Sequence, residues 1–175
     1  MRKRLNSELG RLTPEGYRDA GKSPVVIVLD NIRSLMNTGS VFRSADAFRA
    51  EALYLCGITG TPPHREINKT ALGSTGSVPW KYFESVLEAV TVLKKEGYII
   101  ISVEQAEGAI SLEEFRFRKG KRYAIIFGHE INGVAQEVID ISDACIEIPQ
   151  FGTKHSLNIA VAAGIVLWEA VVRSA

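Results

Sequence analysis

Cysteine and histidine are scarce in this chain, and long apolar runs are missing. Its two cysteines, Cys56 and Cys145, each lie inside an apolar, strand-like run, with no partner at a metal-ligand spacing. Buried, reduced thiols are the expectation. The three histidines, His64, His129 and His155, stand in no H-E-x-x-H arrangement, so no metal is expected. The Ile159–Val172 run falls short of the ~18 apolar residues of a membrane span and carries Glu169. The opening MRKRLNSELG has cations but no apolar run behind them, unlike a signal peptide. A soluble, cytoplasmic protein with no membrane partner is the default expectation. The chain also has no G-x-G-x-x-G after its first apolar run, no G-x-x-x-x-G-K-[ST] and no G-x-S-x-G. Dinucleotide, P-loop and hydrolase readings therefore lose their usual support. Ser156 beside His155 is not a dyad, because adjacent helix residues do not face one another.

Charge of one sign is missing as well. Twenty-one lysines and arginines balance twenty aspartates and glutamates, a net charge of +1 over 175 residues. Such a total does not mark a strongly basic nucleic-acid binder. The distribution is less even. Arg116, Arg118, Lys119, Lys121 and Arg122 cluster in FRFRKGKR, interleaved with Phe115 and Phe117. A solvated loop before a strand is the plain reading of that run, and an RNA-facing patch is the functional one.

What is present is an alternation of strand and helix patterns. Residues 1–23 are polar and read as a short helical arm, with Thr13 capping a helix that has Pro14 at its first position. The runs VVIVLD (25–30), ALYLCG (52–57), YIIISVE (98–104), YAIIFG (123–128) and ACIEIP (144–149) are continuous, apolar and strand-length. Such runs are buried on both faces, as in a parallel sheet. Helical periodicity predicts helices over 38–49, with Asn37 as its N-cap, over 84–96, and from Ser156 to about 173. Shorter helices are expected near 64–72 and 135–140, and at SLEEF (111–115), where Ser111 and Glu114 have capping-box spacing. WKYF reads as a short strand. The whole is an α/β fold, a mostly parallel sheet flanked by helices, with one domain over 24–175 behind the arm.

In such sheets ligands bind beyond the carboxyl ends of the strands. Three loops there, DNIRSLMNTGS, GHEING and PQFGTKHS, are the richest in Gly, Asn, Ser and charge. Asn37-x-Gly39-x-x-x-Arg43 with Ser44–Ala45–Asp46, Gly128-x-Glu130-x-x-Gly133, and Ile148–Pro149 through Gly152 to Ser156–Leu157–Asn158 fall in these loops in order. With them the chain resembles the SpoU/TrmH class of SPOUT RNA methyltransferases over nearly its whole length.

The resemblance implies a SPOUT fold with a C-terminal trefoil knot, and a homodimer with its site at the subunit interface. It implies S-adenosylmethionine as cofactor, leaving as S-adenosylhomocysteine, and methyl transfer to a ribose 2′-hydroxyl of tRNA or rRNA. Arg43, Asn37, Glu130, Ser156 and Asn158 would form the catalytic group. Gly128, Ile148, Leu157 and Gly152 would hold the cofactor. Arg43 suits phosphate binding and charge stabilisation better than proton removal, since guanidinium is a poor proton acceptor. Each residue also has a plain reading: Asn37 and Ser156 as helix caps, Arg43 as a surface residue, Glu130 as a cap of the next helix. Asn158 is harder to explain that way, since Asn is disfavoured inside a helix. Ala160 and Gln150 depart from a frequent Ser and Met of the class. A catalytically silent RNA-binding or assembly factor with the same fold, and a flavodoxin-like binder of another nucleotide, are the competing readings.

Overall fold

The apolar runs become strands of one all-parallel sheet. The computed structural model describes residues 1–173; the last two positions of the 24–175 span lie outside the described residues. The strands are β1 (Ser23–Asp30), β2 (Ala50–Cys56), β3 (Trp80–Phe83), β4 (Ile99–Val103), β5 (Ile110–Ser111), β6 (Tyr123–Phe127) and β7 (Ala144–Glu147). They lie side by side in the order β3-β2-β1-β6-β4-β7-β5. The helices are α1 (Pro14–Asp19), α2 (Leu35–Ala47), α3 (Arg65–Ala71), α4 (Val86–Lys95), α5 (Gln136–Asp140) and α6 (Ile159–Trp168), with a π-helical turn over Glu169–Arg173.

The central strands are apolar throughout because helices cover both faces. Along β1, Val25, Ile27 and Leu29 enter one core with residues of α1, α2, α3 and α6. The intervening Val26 and Val28 enter a second core with residues of α4 and α5. Phe42 of α2 is wholly buried in the first core, and burial of such a side chain contributes roughly 1.5–3 kcal/mol. Tyr17 of α1 is buried there too, and its hydroxyl reaches the carbonyls of Ala45 and Ala50 at 3.5 and 3.4 Å. The arm helix is thus docked on the core. Both thiols are free; Cys56 is buried, and burial pushes its pKa up to about 12.

Several expectations are corrected. Helix α2 begins at Leu35, and its cap is Ser34, whose hydroxyl accepts the Asn37 N–H at 3.2 Å. The last helix begins at Ile159 and is capped by Asn158, leaving Ser156 in the preceding loop. SLEEF is not a helix. Its first residue ends β5, a turn follows, and Ser111 Oγ is buried without a hydrogen-bond partner. The strand pairing of β5 with β7 draws Leu112 into the core, and that overrides the capping-box signal. Phe115 and Phe117 stack edge-on at 4.9 Å and pack on the core, so they are not an aromatic RNA-facing surface.

The parallel register places the carboxyl ends of β1, β6, β4 and β7 along one edge: Leu29 pairs Phe127, which pairs Val103, which pairs Ile146. On the face of the first core α2 lies tightly on α3. A Cβ at Gly39 would stand 2.2 Å from the Ile67 carbonyl oxygen and 2.2 Å from Thr70 Oγ1. Backbone cannot yield as a flexible side chain can. Gly39→Ala is therefore expected to lower unfolding free energy by about 1–3 kcal/mol, as overpacking does, measured by urea denaturation. An unchanged midpoint would disprove this close approach.

Candidate active site

Four loops meet at the carboxyl edge around a cleft of about 560 Å³, a size typical of small-molecule sites. They follow β1, β4, β6 and β7. The cleft has an apolar side, with Val103, Phe127, Ile148, Ile159 and Ala162, and a polar side. Its titratable lining is one-sided: Glu104, Glu130 and Glu147 line it with His129 and His155, and no lysine or arginine does so among the described residues.

Three of the loops are tied by side chains distant in sequence. Glu130, after β6, accepts the backbone N–H groups of Arg33 (3.1 Å) and Ser34 (3.0 Å), at the start of α2. A carboxylate is favoured there by the exposed donors and the positive end of the helix dipole. Asn37, in the first turn of α2, donates its amide N–H to Glu130 at 3.3 Å. Its amide oxygen accepts from Asn158 Nδ2 at 3.1 Å. The Asn158 oxygen in turn accepts the Ala160 N–H at 2.9 Å and caps α6. Asn37 is therefore not a cap, and Asn158 is both a cap and a link between helices. Partial burial works against the charge on Glu130. The Ser34, Arg33 and own backbone N–H groups and the Asn37 amide outweigh it and hold the carboxyl below its ordinary value.

The glycines differ. Gly128 is required: a Cβ there would lie 2.2 Å from the Gly133 carbonyl, because the 129–133 loop folds back on itself through paired His129–Gly133 hydrogen bonds. Gly152 has open space where a Cβ would stand, and it does not line the cleft. Ile148, Ser156 and Leu157 do line it, and Ser156 and Leu157 are exposed. Ser156 makes no hydrogen bond to the described protein.

Arg43 is not brought to the cleft of its own chain. It lies exposed on α2, apart from the face that carries Asn37 toward α6, and it is not part of the lining. The basic cluster is at the other edge of the sheet. Tyr123, at the start of β6, pairs with Val25 at the start of β1, so residues 116–122 precede the amino ends of the strands. Arg116, Arg118, Lys119 and Lys121 are exposed there. Arg122 is committed to the fold: it pairs with Glu51 at 2.7 Å and stacks 4.0 Å over the Tyr98 ring. Sequence reasoning missed the loop after β4. Glu104 and Gln105 line the cleft, and the only signal for them was their place at the end of an apolar strand.

A family model described as the SpoU rRNA Methylase family matches residues 24–168. The chain belongs to that family. It is 29% identical over 169 residues to the tRNA (guanosine(18)-2′-O)-methyltransferase of Thermus thermophilus, covering 97% of this chain and 80% of that one. An AdoMet-bound rRNA methyltransferase from Sinorhizobium meliloti superposes with a TM-score of 0.81 at 28% identity, over 93% of this chain and 61% of its own. A structure described as bearing on 2-OH methylation of C/U34 on tRNA has a TM-score of 0.75 at 28% identity and is covered over 95% of its length. This chain thus spans about three fifths of the Sinorhizobium protein and nearly all of the last. The α/β fold is that of these SPOUT methyltransferases. The strand order and the return of α6 onto α2 are consistent with a C-terminal knot.

The Glu130 carboxylate gives this chain a specific pH dependence. A depressed carboxyl contributes stability that is fully present above its ordinary value of 4.5 and is lost as pH falls through the lower folded value. Wild type is expected to be more stable than Glu130→Gln at neutral pH, with the difference shrinking below about pH 5, read from urea midpoints across pH. A constant difference down to about pH 3 would contradict it. Asn37→Ala, which removes two side-chain hydrogen bonds, is expected to cost about 1–2 kcal/mol at neutral pH in the same assay.

Proposed function

We propose that this protein is an S-adenosylmethionine-dependent RNA methyltransferase that acts on a ribose 2′-hydroxyl of tRNA or rRNA as a cytoplasmic homodimer. The observation that carries the reading is the Glu130–Asn37–Asn158 chain, which joins the three family motifs around one cleft. The cleft suits the cofactor by size and charge. An apolar side can take an adenine, and carboxylates without a counter-cation favour a ligand that bears a sulfonium and an ammonium. Backbone of Gly128 and Ile148 and the Leu157 side of the third loop would hold it. When bound, it supplies a methyl group on a positively charged sulfur.

The chain's own residues then have separable roles. Glu130 and Asn37 fix the loops, and both Glu130 oxygens already accept N–H donors. A carboxylate so occupied, with its pKa held low, is a weak proton acceptor. Ser156, exposed at the rim, is free to meet the nucleotide. Arg43 would bind the RNA phosphate and stabilise negative charge developing on the 2′-oxygen as its proton leaves. Since Arg43 stands apart from its own cleft, it would serve the cleft of a second copy.

The dimer is supported by α6. Its inner face is buried, while Val161 (51%), Ile165 (37%) and Trp168 (52%), continued by Val172 (43%) in the π-helical turn, form an exposed apolar stripe. These positions recur at helical spacing, and an apolar stripe of this kind is an association surface. Exposed Arg118, Lys119 and Lys121 would add phosphate contacts at the amino edge.

Incubation with labelled S-adenosylmethionine and total tRNA or rRNA, followed by nucleotide mapping, tests the activity. Transfer to a 2′-hydroxyl is expected, and Arg43→Ala should reduce it by roughly 100-fold or more, as loss of a transition-state contact does, without unfolding the chain. A protein that binds RNA but transfers no methyl group would instead be the catalytically silent factor. In light scattering, wild type should run as a dimer and Trp168→Glu as a monomer. A monomeric wild type at micromolar concentration would refute the shared site.

A further inference from the structure

Glu104 and Gln105 directly follow β4, line the cleft and reach in two directions. The Glu104 N–H donates to the Ile146 carbonyl at 3.0 Å, fixing its backbone to β7. Its side chain turns the other way. Oε2 accepts the Val134 N–H at 2.8 Å, at the end of the loop after β6, and Oε1 accepts the Gln105 N–H at 2.8 Å. The fit against that loop is close: a Cβ at Gly133 would stand 2.0 Å from Glu104 Oε2, and Gly133 has φ +66°. The Gln105 side chain then donates to the His155 carbonyl at 2.7 Å, in the loop after β7. Two consecutive residues thus hold two separate walls of the same cleft, and neither belongs to the three motifs.

Resting on the methyltransferase reading above, we propose that Glu104 and Gln105 are positioning residues that set the separation of the two loops embracing S-adenosylmethionine. The Glu130–Asn37–Asn158 chain ties the helix ends at the front of the cleft. It leaves the 131–134 and 150–156 segments without a direct link to each other. Glu104 and Gln105 supply that link from the end of β4, an interior strand whose Ile100, Ile101 and Ser102 are buried. Preset loops lose less freedom when a ligand arrives, so the pair raises affinity by preorganisation. Its loss acts first on cofactor uptake and only afterwards on chemistry.

The test is calorimetric titration of the full chain with S-adenosylmethionine, for wild type, Gln105→Ala, Glu104→Gln and Glu104→Ala. Gln105 is exposed, so its truncation leaves the core intact. Gln105→Ala is expected to weaken binding about five- to tenfold, in line with one lost hydrogen bond. Glu104→Gln keeps one acceptor oxygen for Val134 and should fall between wild type and Glu104→Ala. In steady state the KM for S-adenosylmethionine should rise while kcat falls less than about twofold, the pattern of lost uniform binding. The ligand-free melting temperature of Gln105→Ala should match wild type. Wild-type affinity in both alanine variants would overturn the clamp alone. So would a loss of kcat at unchanged KM, or weakened binding that merely tracks a lowered melting temperature. A wild type that takes up no S-adenosylmethionine would overturn the methyltransferase reading, and the clamp with it.

Discussion

The structure depends on a single ionised carboxylate placed where a helix begins. Glu130 meets the backbone donors of Arg33 and Ser34 and the amide of Asn37, and through Asn37 it reaches Asn158 and the start of α6. Each amide in this line is used as both donor and acceptor, which fixes its orientation. Loss of any member leaves its neighbours with unmet polar groups, so the line behaves as a unit. It sets where α2 and α6 begin and how their ends face one another. Those two helices are packed on the same face of the sheet, and the cleft lies where their ends and the strand ends meet.

The sheet makes that arrangement possible. Seven parallel strands bring every strand-end loop to one edge. Residues 93 and 121 positions apart can then share hydrogen bonds. Burial on both faces keeps the edge rigid, because the strands beneath it pack against helices on each side. The closest contacts are made at glycines for a steric reason: Gly39 lets α2 touch α3, and Gly128 lets the 129–133 loop close on itself.

Much of this was legible in the chain. The five apolar runs are strands because continuous apolar residues at strand length have no half-buried alternative. Helical rather than continuous spacing, at Val86, Leu87, Val90 and Leu93, marked α4. Helix starts were misread where two capping residues compete within a few positions. Ser34 and Asn37 are both good caps locally, and only Glu130, far along the chain, decides between them. Ser156 and Asn158 pose the same ambiguity, decided by Asn37. SLEEF carried a real capping signal, but pairing to β7 and burial of Leu112 outweighed it. Arg122 looked like one more cation in a basic run until Glu51 of β2 and Tyr98, just before β4, claimed it. Glu104 was overlooked because its loop, EQAEGA, has a single glycine and no asparagine or serine, unlike the three that drew notice.

The one-sided charge of the cleft has a consequence for competition among ligands. Adenosine is among the commonest building blocks in a cell, and most of its carriers bear phosphates. A pocket shaped for an adenine alone would be filled by those carriers. Glu104, Glu130 and Glu147, with no lysine or arginine among the described lining residues, repel them. Their rejection costs no extra contact, since selectivity can come from what a site disfavours as well as from what it grips. On the proposed function, the same repulsion would keep a polynucleotide's phosphates at the rim, so that only its sugar approaches the interior.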